Sequence, residues 1–153
     1  MLKNALFGGV NAAVLTPMNA DLSVDLDRMA AHCRWLLGNG CNGLAVLGTT
    51  GEANSLGVQE RIELLEGLIA RGIPASVMLP GLGTTAITDT VYLVRKAEAL
   101  GCRGALLLPP FYYKGPSDDG LLAYFNEVTQ RVGGSIALYL YNFSATIGDP
   151  VRG

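Results

Sequence analysis

Charge is scarce in this chain: 16% of its 153 residues are Asp, Glu, Lys or Arg, while half are hydrophobic. A net charge of −2 offers nothing to a phosphate backbone and argues against nucleic acid as a partner. Cysteine is limited to Cys33, Cys41 and Cys102, an odd number without CxxC spacing, which reads as small core residues in a reducing compartment. Histidine occurs once, His32, beside Cys33 on a helical segment. Zinc sites need three or four ligands, so a structural role is expected for it and no metal. No apolar run approaches the roughly 20 residues of a membrane span. The start, from Ala5 to Leu15, resembles a signal peptide only faintly. Two glycines and Asn11 interrupt it, and Thr16-Pro17 is no small-residue cleavage site. It is read as a first strand, and the protein is expected in the cytoplasm.

Apolar strands alternate with amphipathic helices along the whole length. The expected strands are Val10–Leu15, Leu44–Leu47, Ala75–Leu79, Gly104–Leu108 and Ile136–Tyr141. The first helix runs from about Asp25 to Leu37 and stops before Gly40. The second places Val58, Ile62, Leu65 and Ile69 at helical spacing and ends at Gly72 and Pro74. The third begins near Thr85 and carries Ile87, Val91, Val94 and Ala97. The fourth opens on Ser117-Asp118-Asp119, an N-cap followed by acids that suit the helix dipole, and buries Leu121, Phe125, Val128 and Val132. Strict alternation predicts an α/β fold with a parallel sheet in sequential order. Both a doubly wound sheet and a (β/α)8 barrel satisfy it. The dinucleotide signature G-x-G-x-x-G is missing after the first strand, and so is the phosphate-loop signature.

Polar and turn-forming residues collect behind the strands' C-terminal ends, the face that carries the active site in a (β/α)8 barrel. Strand two runs into Gly48-Thr49-Thr50-Gly51-Glu52, a turn whose backbone N–H groups and hydroxyls can hold a small carboxylate. The other strands lead into Thr16-Pro17, Pro80-Gly81-Leu82-Gly83, Pro109-Pro110-Phe111-Tyr112-Tyr113-Lys114 and Tyr141-Asn142. Any one such loop is ordinary; five together point to a site.

Thr16-Pro17-Met18, Gly48-Thr49-Thr50-Gly51-Glu52, Pro110-Phe111-Tyr112-Tyr113 and Tyr141-Asn142 resemble, in order and spacing, the signatures of the dihydrodipicolinate synthase/N-acetylneuraminate lyase family. The resemblance implies a (β/α)8 barrel, commonly a tetramer. It also implies a reaction that joins pyruvate to an aldehyde, or releases it from a 2-keto acid, through a lysine Schiff base without metal or diffusible cofactor. By resemblance, Gly48, Thr49 and Thr50 hold the pyruvate carboxylate, and Tyr141 is the proton carrier beside the reacting carbon. Thr49 relays the proton to a loop tyrosine that reaches across from a neighbouring subunit. That tyrosine is Tyr112 counting from strand four, and Tyr113 counting back from Pro116-Ser117.

Two departures stand out. Thr146 occupies the place of a synthase arginine that binds a substrate carboxylate, which, with Leu140-Tyr141-Asn142-Phe143, makes the chain more similar to 2-keto-3-deoxygluconate aldolase-like members. Ser144 replaces a family proline, so residues 144–153 match less well than those before them. A (β/α)8 barrel also takes roughly 250 residues. At 153, residues 1–153 form one partial barrel domain that stops after strand five, and the Schiff-base lysine belongs on strand six. Lys3, Lys96 and Lys114 are the only lysines, and none is placed as a buried nucleophile. The expectation is the N-terminal portion of a Schiff-base lyase, inactive by itself. The alternatives are a half-barrel that binds a small carboxylate without turnover, and an oligomerisation element with open sheet edges.

Overall fold

The computed structural model describes residues 8–134 and 136–142. In chain order the elements are β1 (Asn11–Ala13), α1 (Leu26–Gly38), β2 (Gly43–Ala45), α2 (Val58–Ala70), α3 (Ile87–Ala99), β3 (Gly104–Leu107), α4 (Asp118–Val132) and β4 (Ala137–Leu140). β1 pairs parallel with β2 from Asn11–Gly43 to Ala13–Ala45, and β3 pairs parallel with β4 from Gly104–Ala137 to Leu107–Leu140. Tyr141 N–H extends the second ladder by donating to Leu107 O at 2.8 Å.

The strand expected at Ala75–Leu79 requires correction. Pro74, with its fixed φ and no N–H, starts a 3-10 turn over Ala75–Val77 instead. The extended stretch comes later, at residues 78–82. There Leu79 and Gly81 donate to Leu44 and Val46 O on one side. On the other, Leu106 donates to Pro80 O and Leu82 to Leu106 O, all at 2.8–2.9 Å. Pro80 has no donor to give, so the contact with the neighbouring strands reduces to isolated parallel bridges, Leu44–Met78 and Gly81–Leu106. Among the described residues there are thus four strands, where five were expected, joined into one sequence by this bridging stretch.

The resulting order, β1, β2, residues 78–82, β3, β4, follows the chain without reversal. The helices pack as a row, α1 on α2, α2 on α3 and α3 on α4. A doubly wound sheet reverses its order and sends helices to both faces. The sequential order and the single row match the wall of a (β/α)8 barrel.

Helix boundaries follow their capping chemistry. The Asp25 carboxylate accepts from Arg28 N at 2.9 Å, and Ser117 Oγ accepts from Gly120 N at 3.1 Å. The core lies between sheet and helices, with Val14, Leu44, Val46, Met78 and Ala105 facing Met29, Cys33, Leu65, Leu68, Val94 and Val128. On α4 the buried stripe is Leu121, Tyr124, Val128 and Val132, with Phe125 only partly covered. Tyr124 replaces Phe125 because its hydroxyl finds partners inside: it donates to Thr84 O at 3.2 Å and lies 3.4 Å from Thr90 Oγ1. The Cys33 and Cys102 thiols are buried and free, and burial pushes both up to about 11. Half-buried His32 stacks on Trp35, and no metal-binding cluster occurs among the described residues. No described helix is long and apolar enough to cross a membrane. Lys3, Ser144 and Thr146 lie outside the described residues.

Candidate active site

The turn after β2 is built by an unusual backbone path. Leu47, fully buried, takes φ 56°, a left-handed conformation that costs a β-carbon-bearing residue roughly 1–2 kcal/mol. It swings the chain sharply out of the sheet. Gly48 O then accepts from Ala53 N at 3.3 Å and Thr49 O from Glu52 N at 3.1 Å. Glu52, at φ 51°, leads into a short 3-10 turn over Ala53–Ser55. Thr49 and Thr50 are exposed, and their backbone N–H groups donate to no other described backbone group.

Two neighbouring loops lock this turn in place. Thr16 Oγ1, buried behind β1, donates to Gly51 O at 2.7 Å. The approach is so close that a Cβ on Gly51 would sit 2.9 Å from Val14 O. From the other side Gly81 presses against the turn: a Cβ there would meet Leu47 O at 2.2 Å and Gly48 Cα at 3.2 Å. Thr16-Pro17 and Pro80-Gly81 are therefore structural clamps on the Gly-Thr turn.

The clamped turn forms one wall of a small, partly open pocket. Leu47, Gly48, Thr49, Ala53 and Asn54 come from this turn, Gly81 and Gly83 from the next loop. Leu106 and Leu108 come from the β3 end, and Tyr141 from the β4 end. Of the residues expected to form a site, Gly48, Thr49 and Tyr141 are thus brought together. Thr50 lies on the same turn without lining the pocket. Tyr112 and Tyr113 do not line it either. They project from the loop after β3, 75% and 63% exposed, with their rings edge to face at 5.4 Å. No lining residue carries a charge. Neither described lysine is there: Lys96 on α3 holds its ammonium over the Tyr92 ring, and Lys114 donates to Phe111 O at 3.2 Å. The loop Pro80-Gly81-Leu82-Gly83, expected on this face, supplies Gly81 and Gly83 as pocket walls. Not foreseen are Leu106, Leu108 and Asn54 as walls and Arg61 buried behind Asn54. The Arg61 signal was available, since 61, 64, 65 and 68 share one helical face.

The model of the Dihydrodipicolinate synthetase family matches residues 6–149. The chain belongs to this family. An uncharacterised DapA-like lyase of Chloroflexus aurantiacus is 38% identical over 144 residues, covering 94% of this chain and 48% of that protein. Among solved structures, dihydrodipicolinate synthase from Agrobacterium tumefaciens superposes with a TM-score of 0.90 at 38% identity, over 94% of this chain and 50% of that one. YagE of Escherichia coli K12, a prophage protein of the dihydrodipicolinic acid synthase family solved in complex with pyruvate, superposes at 0.85 with 32% identity, over 96% and 48%. The chain spans about half the length of these family members, which are (β/α)8 barrels.

Proposed function

We propose that this chain carries the carboxylate-binding and proton-relay half of a Schiff-base lyase or aldolase that handles pyruvate and an aldehyde. The observation that carries this reading is the convergence of Gly48 and Thr49 with Tyr141 on one uncharged pocket at the C-terminal ends of β2 and β4. The turn's backbone N–H groups and the Thr49 hydroxyl supply donors for a carboxylate there, with the Thr50 hydroxyl beside the pocket on the same turn. Tyr141 supplies the hydroxyl that carries a proton. Tyr141 exchanges that proton through a hydroxyl partner, the role given to Thr49. Tyr112, or Tyr113 in its place, completes the relay from a neighbouring copy; their exposure leaves both rings available for that contact. The full reaction takes a lysine imine, and neither described lysine, Lys96 or Lys114, lies at the pocket to form it. The chain alone is therefore a binder, without metal or diffusible cofactor, in a cytoplasmic homo-oligomer. Thr146 in place of an arginine supports an aldolase of sugar-derived 2-keto acids, while 38% identity to a synthase pulls toward the synthase reaction.

The test is pyruvate affinity. In a site this open, charge-assisted hydrogen bonds compete with water, so a Kd on the order of millimolar, about 4 kcal/mol, is expected. Thr49→Val weakens binding and Lys114→Ala leaves it unchanged. Equal affinities for the parent chain and Thr49→Val would place the carboxylate elsewhere.

A further inference from the structure

Arg61 is the anomaly of α2. It sits on the helix's core face with Leu64, Leu65 and Leu68, 5% exposed. Its Nε donates to Leu56 O at 3.1 Å and its Nη2 to Asn54 Oδ1 at 3.4 Å. Nη1 is buried with no hydrogen-bond partner. Desolvation pulls the guanidinium below its ordinary range, with the charge of Asp89 opposing. A cation held this way is costly, and an apolar residue of similar volume packs such a helix face at least as well. Packing alone therefore does not account for it.

Both of its bonds end on one short segment, residues 54–56, which follows the Gly-Thr turn. Asn54 is the exposed member of that segment and lines the pocket. A carboxamide has one acceptor end and one donor end. With the oxygen engaged by Arg61, the end left to the pocket is the NH2 group. The pocket has no charged lining residue, so a buried cation one hydrogen bond behind its wall polarises that donor toward an anion.

We propose that Arg61 is a positioning residue that grips Asn54 by its amide oxygen and presents the amide NH2 to an oxygen of a bound 2-keto acid. The inference rests on the pocket reading above and adds Asn54 to it as a contact that discriminates among ligands. A ligand with an acceptor oxygen at that place is retained, and one with a methylene there loses its partner.

The experiment titrates pyruvate against the 15N-labelled chain, following the Asn54 side-chain amide and the Thr49 backbone amide together. Both are expected to move with one saturation curve. Asn54→Ala, a change at an exposed position, is expected to weaken pyruvate about threefold to tenfold, the worth of one hydrogen bond. Asn54→Asp keeps an acceptor for Arg61 but removes the donor and adds repulsion, so it binds more weakly than Asn54→Ala. Arg61→Lys, which keeps the charge and loses the guanidinium fork, broadens or shifts the Asn54 amide in the free chain. If Thr49 moves while the Asn54 amide stays still, or if Asn54→Asp binds as well as the parent, the Arg61–Asn54 contact is structural only and the inference is overturned with the pocket intact. If neither resonance moves, the pocket reading fails and takes this inference with it.

Discussion

Gly81→Ala is the substitution from which the geometry extracts the most. The added Cβ would lie 2.2 Å from Leu47 O, 2.9 Å from Leu47 C and 3.2 Å from Gly48 Cα, all backbone atoms that no side-chain rotation can clear. Relief requires the bridging stretch and the Gly-Thr turn to part by about 1 Å, which strains the 2.8 Å bond from Gly81 N to Val46 O. Overpacking of this kind costs about 1–3 kcal/mol, and losing one ladder bond adds roughly 1. The expected loss is about 3 kcal/mol. For a urea m-value of roughly 2 kcal/mol/M, the midpoint falls by about 1.5 M. Gly48→Ala is the control: the nearest atom to its Cβ is Ala45 O at 3.9 Å, and its stability is expected to change by less than about 0.5 kcal/mol. Urea melts followed by circular dichroism compare the two. Equal midpoints for Gly81→Ala and Gly48→Ala would refute the close packing of the turn against its neighbour.

Other outcomes follow from the same structure. Borohydride reduction in the presence of pyruvate is expected to leave the chain at its parent mass, because neither described lysine, Lys96 or Lys114, lies at the pocket; stoichiometric labelling of Lys3, Lys96 or Lys114 contradicts this. The buried Cys33 and Cys102 thiols, pushed up to about 11 from 9.0, keep their protons in the folded chain while the unfolded chain loses them. Their contribution is therefore whole below pH 9 and is lost between pH 9 and 11, roughly 2–3 kcal/mol for each thiol. Urea melts across that window should show the fall, and Cys102→Ala should remove about half of it, leaving the part due to Cys33. Ser117→Ala removes the bond to Gly120 N and is expected to cost about 1 kcal/mol in the same melts.

Helices were the more legible half of the fold, because a stripe such as Leu121, Val128 and Val132 repeats over several turns and its start is marked by Ser117. Ala75–Leu79 misled for a local reason. Its apolar run looks extended, but Pro74 turns the chain and Pro80 interrupts the ladder, so pairing moved to residues 78–82. Gly48, Thr49 and Tyr141 were legible as loop residues behind strands, and the pocket joins them. The clamp role of Gly81 was not, since it depends on a contact with Leu47 that no local pattern encodes. Asn54 was missed because an exposed amide looks like ordinary surface, and Arg61 because a helical arginine is taken for a surface residue even where, as here, it shares a face with Leu64, Leu65 and Leu68.

The central claim, a carboxylate site on the Gly-Thr turn, is tested most directly by titrating pyruvate into the 15N-labelled chain and following its backbone amides. The account predicts that the amides of Thr49 and Thr50 shift together and saturate in the millimolar range. Silence at Thr49 and Thr50, with shifts around Lys114 instead, would contradict it.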